Sequence, residues 1–393
     1  MIGPARLIRA AFEGADMAAR AGAILARSEK GVLEAGTALD LATILLLMHR
    51  FDEALQLQRD VLRSNRHFEL LSNRPEATTR ILVIVTAGDL MANTPIDFLL
   101  DEASFRVEYL FVLPGEAVPY PLPAHDVCIV GVAYATAHEP LLEALASAAS
   151  RWDRPVINQP RAVLKTSRHG LAEALAGANG IVIPTIARAT KSDLISSNFE
   201  LPAGLSYPVL IRPFDTHAGN ALQKVDGPES LRDYCARTEA VAFYISQFCD
   251  YSGTDGLFRK LRIVLIDGAP YLCHLALRDH WMIHYLNAGM ADDPAKREVE
   301  ARAMAAFDDL FVPRHRDAFG EIHRRMGLDY LILDCAEDRD GCLLIFEADT
   351  GMVIHDMDPV DLFPYKHPHM QGIFAAFHRA IIVRANRGAQ LAR

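Results

Sequence analysis

The stretch GLDYLILDCAEDRDGCLLIFEADTG, residues 327–351, holds the most telling pattern in this chain. An apolar run, Tyr330–Leu333, ends at Asp334, and a second apolar run leads to Glu347 and Asp349. Strand side chains alternate between faces, so Glu347 and Asp349, two apart, share one face. An antiparallel hairpin turning around Asp338–Gly341 brings Asp334 to the same place. Three carboxylates held together repel one another unless a cation compensates. Hard carboxylate oxygens suit Mg²⁺, which commonly bridges nucleotide phosphates. Asp334, Glu347 and Asp349 are therefore the expected metal ligands. Spacing alone leaves the plain alternative open: Glu347 and Asp349 alternate with Phe346 and Ala348, as solvated carboxylates do on any half-exposed strand.

Working outward, short β-branched runs recur upstream. ILVIVT (81–86), VEYLFVL (107–113) and DVCIVGV (126–132) read as buried strands, with helical stretches at Pro95–Leu100 and Glu139–Ser150. Strand and helix in alternation indicate a parallel α/β layer. The first strand runs into AGDLMANTPID, which lacks G-x-G-x-x-G and gives no support to a dinucleotide fold. Beyond residue 160 come a helix, a glycine turn and a strand in TSRHGLAEALAGANGIVIPTIARAT, then strand 207–213, loop 215–227, a helix and strand 240–248. FRKLRIVLI and APYLCHLAL flank Asp267-Gly268, a favourable two-residue hairpin turn. Residues 293–326 and 369–387 read as helical.

Residues 1–65 differ in texture. Ala, Leu, Arg and Glu dominate, with apolar positions at helical steps. ALDLATILLLMHRFDEALQLQRDVL looks like a tetratricopeptide unit, with Leu39, Ala42, Leu45 and Leu46 on one helix and Phe51, Ala54 and Leu55 on the next. One unit cannot bury its own face and needs a neighbour; an unrelated helical hairpin gives the same pattern. Residues 66–79, polar and containing a proline, read as a domain junction. The expected division is 1–65 helical, 80–158 α/β, 159–248 central, and 249–393 carrying the acidic hairpin and tail helix.

Five elements together resemble the ATP-grasp superfamily, in the branch of D-alanine–D-alanine ligases, glutathione synthetases and glutamate-adding ligases. The acidic hairpin is similar to the family's metal-binding hairpin, with Asp349 in place of its usual Asn. YPVLIRPFDTHAGNALQKV (207–225) looks like the family's strand and mobile phosphate-covering loop, with Arg212 for the usual Lys and Gly219 in the loop. TSRHGLAEAL (166–175) places Arg168 at another phosphate-contacting Lys position, and Lys165 lies one turn earlier. FYISQFCDY (243–251) resembles the adenine-reading hinge, which assigns Gln247, Phe248, Cys249 and Asp250 to the nucleotide. In FRKLRIVLIDG, Arg262 matches an arginine of the glutamate-adding ligases, while Lys260 replaces a ribose-contacting carboxylate; Asp250 and Asp255 are the substitutes at hand. HLALRDHWMIHY adds His274, Arg278, His280 and His284, read as substrate or phosphate contacts.

The resemblance spans roughly 80–360 and implies an ATP-grasp α/β architecture after the helical segment. It implies an ATP- and Mg²⁺-dependent carboxylate–amine ligase, with two Mg²⁺ ions (Mn²⁺ being an alternative) and acylphosphate chemistry. Arg262, Arg278 and His274 are the catalytic candidates, and loop 214–223 would close over the site. The rival readings are a nucleotide- or protein-binding module that has lost catalysis, and a phosphotransferase on the same scaffold. Expected partners are small-molecule or peptide substrates carrying a carboxylate and an amine. A protein partner through 1–65 and a homodimer are open.

Composition agrees with an ordinary globular chain. Net charge is −10 with no basic stripe, so nucleic acid is not an expected partner. Six scattered cysteines, none in C-x-x-C, read as thiols of a reducing compartment. No apolar run reaches the length of about 18–20 residues that a membrane span needs, and the start lacks a secretory signal; a cytoplasmic location follows as the expectation.

Overall fold

The computed structural model describes the chain except residues 29, 30, 32, 72–76, 101–104, 197, 215, 217, 218, 392 and 393. The N-terminal part is helical as expected: α1 (Pro4–Phe12), α2 (Met17–Ser28), α3 (Ala35–Leu47) and α4 (Phe51–Leu62). The run LATILLLM lies mostly in α3, which is buried on all sides over Ala38–Leu46. α3 and α4 pack as the hairpin anticipated, but the other helices laid against α3 are α1 and α2 rather than a second unit of the same kind. Leu39 and Leu62 share a small core with Phe68.

That phenylalanine corrects the expected junction. Residues His67–Glu69 form β1, an edge strand antiparallel to β3, so part of the supposed linker belongs to the first sheet. β2 (Thr79–Val85), α5 (Asp97–Leu100), β3 (Phe105–Phe111), β4 (Val127–Val130), α6 (Glu139–Ala149) and β5 (Val156–Ile157) complete this layer. The order is β1-β3-β2-β4-β5, with β2 to β5 parallel. Leu82 and Ile84 of β2 pack with Leu141, Leu142 and Leu145 of α6.

The chain continues through α7 (Arg168–Leu175) to β6 (Ile181–Val182) and β7 (Ile186–Thr190). The sequence pattern predicts one strand here, yet β6 joins the third sheet and β7 the second. Pro184 lies at the crossing and cannot donate to either ladder. β8 (Val209–Pro213), β9 (Gln223–Val225), α8 (Pro228–Arg237) and β10 (Ala242–Gln247) follow, and the second sheet runs β7-β10-β8-β9. β9 falls inside the stretch expected to be loop. Asp215, His217 and Ala218 of that loop lie outside the described residues.

The third sheet holds β11 (Phe258–Ile266), β12 (Ala269–Arg278), β13 (Tyr330–Glu337) and β14 (Leu343–Asp349), in the order β12-β11-β13-β14-β6. Asp267 and Gly268, with φ of 50° and 80°, make the two-residue turn their sequence predicts. α9 (Pro294–Ala305) starts at an Asp293 cap that accepts from the Ala295 and Lys296 amides, and α10 (Arg316–Met326) follows. The tail helix α11 (Lys366–Leu391) ties the layers together. Its Ile373, Phe377 and Ile381 share a core with Ile81 and Val83 of β2 and with Val264 and Ile332 of the third sheet. No helix among the described residues is long and apolar enough to cross a membrane, and all six cysteines are free.

Candidate active site

The second and third sheets contribute facing walls to a cavity of about 480 Å³. Strand register sets what each wall presents. Ile186, Ser246 and Leu210 are partners across β7, β10 and β8; two residues along the same face come Arg188, Tyr244 and Arg212. The first row and Arg212 line the cavity, so this wall passes from apolar to cationic. On the third sheet Arg262, Asp334 and Glu347 are partners across β11, β13 and β14. Lys260 and Asp349, each two residues from a member of that row, line the same cavity.

Arg168 joins them from the start of α7. Ser167 caps that helix, its Oγ accepting from the Gly170 amide at 3.0 Å, which makes Arg168 the first helical residue. Its Nη2 donates to Glu347 Oε1 at 3.2 Å. Arg212 is buried; its Nε donates to Thr216 Oγ1 at 3.0 Å and its Nη2 to the Thr216 carbonyl. Burial, then the like charge of Arg168, pulls its pKa down to about 10. An anion placed between these two guanidinium groups relieves that cost. Gly219, at φ 75°, lies on the same cavity and takes the left-handed conformation that glycine adopts freely.

The three expected metal carboxylates do meet on one wall, but they do not act alike. Arg262 donates to both oxygens of Asp334, Nε to Oδ1 at 2.8 Å and Nη2 to Oδ2 at 3.1 Å. Lys260 Nζ adds a third contact to Oδ2 at 2.7 Å. Burial pushes the Asp334 pKa up, yet Lys260 and Arg262 override it and hold the carboxyl well below its usual range. Among the described residues no group of three His, Cys, Asp or Glu side chains is placed to hold a metal. Glu347 and Asp349 lie one strand over as hard oxygen donors, with Oε1 of Glu347 also accepting from Arg168. Burial and the charge of Glu347 raise Asp349 to about 6, against the Thr350 and Gly351 amides that donate to its Oδ1. Two carboxylates on one strand face fit one Mg²⁺ completed by phosphate oxygens and water.

At the apolar end, Gln247, Phe248 and Cys249 line the cavity. Gln247 braces that end: its Oε1 accepts from the Ser206 amide at 2.9 Å, and its Nε2 donates to the Pro208 and Phe248 carbonyls at 3.3 and 3.2 Å. Trp281 meets Phe248 edge-on, with centroids 5.8 Å apart.

Other candidates lie outside the cavity. Lys165 donates to the Arg325 carbonyl at 2.7 Å, closing the end of α10. Asp250 pairs with Arg339 at 2.8 Å, and Asp255 pairs with Arg259. Arg278, at the end of β12, has Asp279 as its neighbour at 4.0 Å. His274 stacks on Tyr285 at 4.4 Å, and burial drives its pKa well below the usual value. His280 is exposed, whereas His284 does line the cavity. Trp281, Met282 and Asn287 line it too, and nothing in HWMIHY marks the tryptophan apart from the more conspicuous histidines beside it.

No known family model matches the chain, and no curated protein does. Several solved structures resemble it at low identity. One is a RimK domain ATP-grasp protein from Sphaerobacter thermophilus, with 16% identity, covering 77% of this chain and 98% of that one at a TM-score of 0.41. Another is the D-alanine–D-alanine ligase of Coxiella burnetii, with 9% identity, 80% and 97% coverage and a TM-score of 0.47. The VanG D-Ala:D-Ser ligase of Enterococcus faecalis gives 13% identity, 78% and 99% coverage and a TM-score of 0.47.

Proposed function

We propose that this chain is an ATP-grasp carboxylate–amine ligase, using ATP and Mg²⁺ to form an amide or peptide bond. The observation that carries the reading is the arrangement of the facing walls. An apolar end suited to a purine leads along one strand face to Arg212, which lies across from Lys260, Arg262 and the Glu347–Asp349 pair, while Arg168 enters from the start of α7 and bonds to Glu347. A cavity of this size and polarity gradient suits a nucleotide-sized ligand.

In this reading a substrate carboxylate oxygen attacks the γ-phosphorus of ATP, ADP leaves, and an acylphosphate forms. The substrate amine then attacks the acyl carbon, inorganic phosphate departs, and the amine's proton is lost. Phosphoryl transfer asks little covalent work of the protein, so positioning and charge neutralisation dominate. Arg168 and Arg212 hold the phosphates, and Arg262, fixed by Asp334, presents positive charge to the reacting centre. A bound Mg²⁺ at Glu347 and Asp349 supplies further neutralisation of developing phosphate charge. The described part of loop 214–223 brings Gly219 to the cavity, where closure would exclude water.

The test is calorimetric titration with ATP, followed by release of ADP and phosphate over a panel of amino acids and peptides. Nucleotide binding with amide formation supports the ligase. Binding without turnover supports the rival binding module, which the engagement of Asp334 by two cations favours. Absence of nucleotide binding overturns both.

A further inference from the structure

Lys260 holds a corner of the cavity where a divalent ion would otherwise meet the carboxylate row. Both oxygens of Asp334 are engaged by three N–H donors, from Arg262 and Lys260, and the Asp334 side chain is only 5% exposed. An ion on Asp334 would have to displace one of these cations or sit against both. Lys260 is 19% exposed and lines the cavity, so it is not sealed into the wall. An ammonium group has three donors and no fixed plane; one on Asp334 leaves the others for a phosphate oxygen.

We infer that Lys260 is a built-in cation standing in for one divalent ion, so that the nucleotide complex carries a single divalent ion, at Glu347 and Asp349. This rests on the reading that nucleotide occupies the cavity. Asp334 is then an anchor for Lys260 and Arg262 rather than a metal ligand. The chain supplies by side chain a charge that a pair of ions would share, which departs from the two ions its sequence resemblance implies.

The experiment counts Mn²⁺ by electron paramagnetic resonance on the full-length protein saturated with a non-hydrolysable ATP analogue. One Mn²⁺ per bound nucleotide is expected. Counts of zero or two overturn the inference and leave the ligase reading standing, while failure of the analogue to bind overturns both. In Lys260→Met, Oδ2 of Asp334 keeps only its Arg262 contact and should admit a second, weaker ion, and Lys260→Arg should keep the count at one. A folded Lys260→Met that still takes one ion overturns the assignment to Lys260. Should that variant fail to fold, the wild-type count together with Lys260→Arg decides.

Discussion

Arg9 of α1 makes an ion pair with Asp356, Nη2 to Oδ1 2.6 Å, and so ties the first helix to the segment that follows β14. Met352 and Val353 of that segment line the cavity. The helix is itself seated on two buried carboxylates: Asp40 accepts from the Ile2 and Gly3 amides, and Asp97 accepts from Ala5 at 2.6 Å. Residues 1–65 thus lie against the support of the site, where the sequence pattern reads as an appendage. Arg9→Ala should cost roughly 1–3 kcal/mol, because it strips a partner from a nearly buried carboxylate. Hydrogen exchange over residues 352–358 should quicken. Nucleotide affinity should shift by no more than about twofold, since neither partner lines the cavity. Unchanged exchange in 352–358 would show that the pair holds nothing in place.

Arg212→Ala tests the phosphate end. A charge near the phosphates is lost together with two donors to Thr216, and ATP should weaken by about ten- to a hundredfold, the roughly 1.5–3 kcal/mol of a charge-assisted contact. AMP should change little. Removing a buried like charge beside Arg168 also relieves repulsion, which offsets part of the stability lost with the two bonds to Thr216. Calorimetry with both nucleotides decides, and equal weakening of ATP and AMP would instead assign Arg212 a structural role.

Much of this site is legible in the sequence because its elements are local. Asp334, Glu347 and Asp349 share a wall through strand alternation and one hairpin, and both can be read within twenty-five residues. The β-branched runs of β2, β3 and β4 are buried on both faces and declare themselves in the same way. What fails to show is set at long range. Lys165 looks available until α10 brings the Arg325 carbonyl to it from 160 residues away. β1 is three residues long with one buried side chain, so its signal is weaker than the polarity of its surroundings. The partner choice of Asp334 depends on β11 lying beside β13, which no spacing within 327–351 reveals.

Asp349→Asn gives a pH-dependent outcome. In the folded protein the Asp349 carboxyl titrates at about 6, against an ordinary 3.8. Between those values the native state keeps a proton that the unfolded chain releases, so its contribution to stability is full at low pH and falls as pH rises through about 6. Asparagine is neutral throughout, and its Oδ1 can still accept from the Thr350 and Gly351 amides. In chelator and without nucleotide, variant and wild type should melt alike near about pH 4, and the variant should melt higher near about pH 7.5. Melting curves that stay parallel across that range would remove the burial argument for Asp349.

Asp334→Asn separates an anchor from a metal ligand. The substitution leaves Lys260 and Arg262 facing one another without their shared counter-charge, in a place where the carboxylate side chain is 5% exposed. Breaking a buried ion pair in this way costs about 3–5 kcal/mol. Glu347→Gln, whose side chain is 29% exposed, should cost much less while weakening the Mg²⁺ dependence of nucleotide binding. The two effects should therefore fall on different measurements, denaturant unfolding for Asp334 and metal-dependent calorimetry for Glu347. A double-mutant cycle sharpens the first: adding Lys260→Met to Asp334→Asn removes a stranded cation, so the pair should be less harmful than the sum, with a coupling of about 1–3 kcal/mol. If the two substitutions simply add, the ammonium and the carboxylate do not depend on each other and Asp334 does not anchor Lys260.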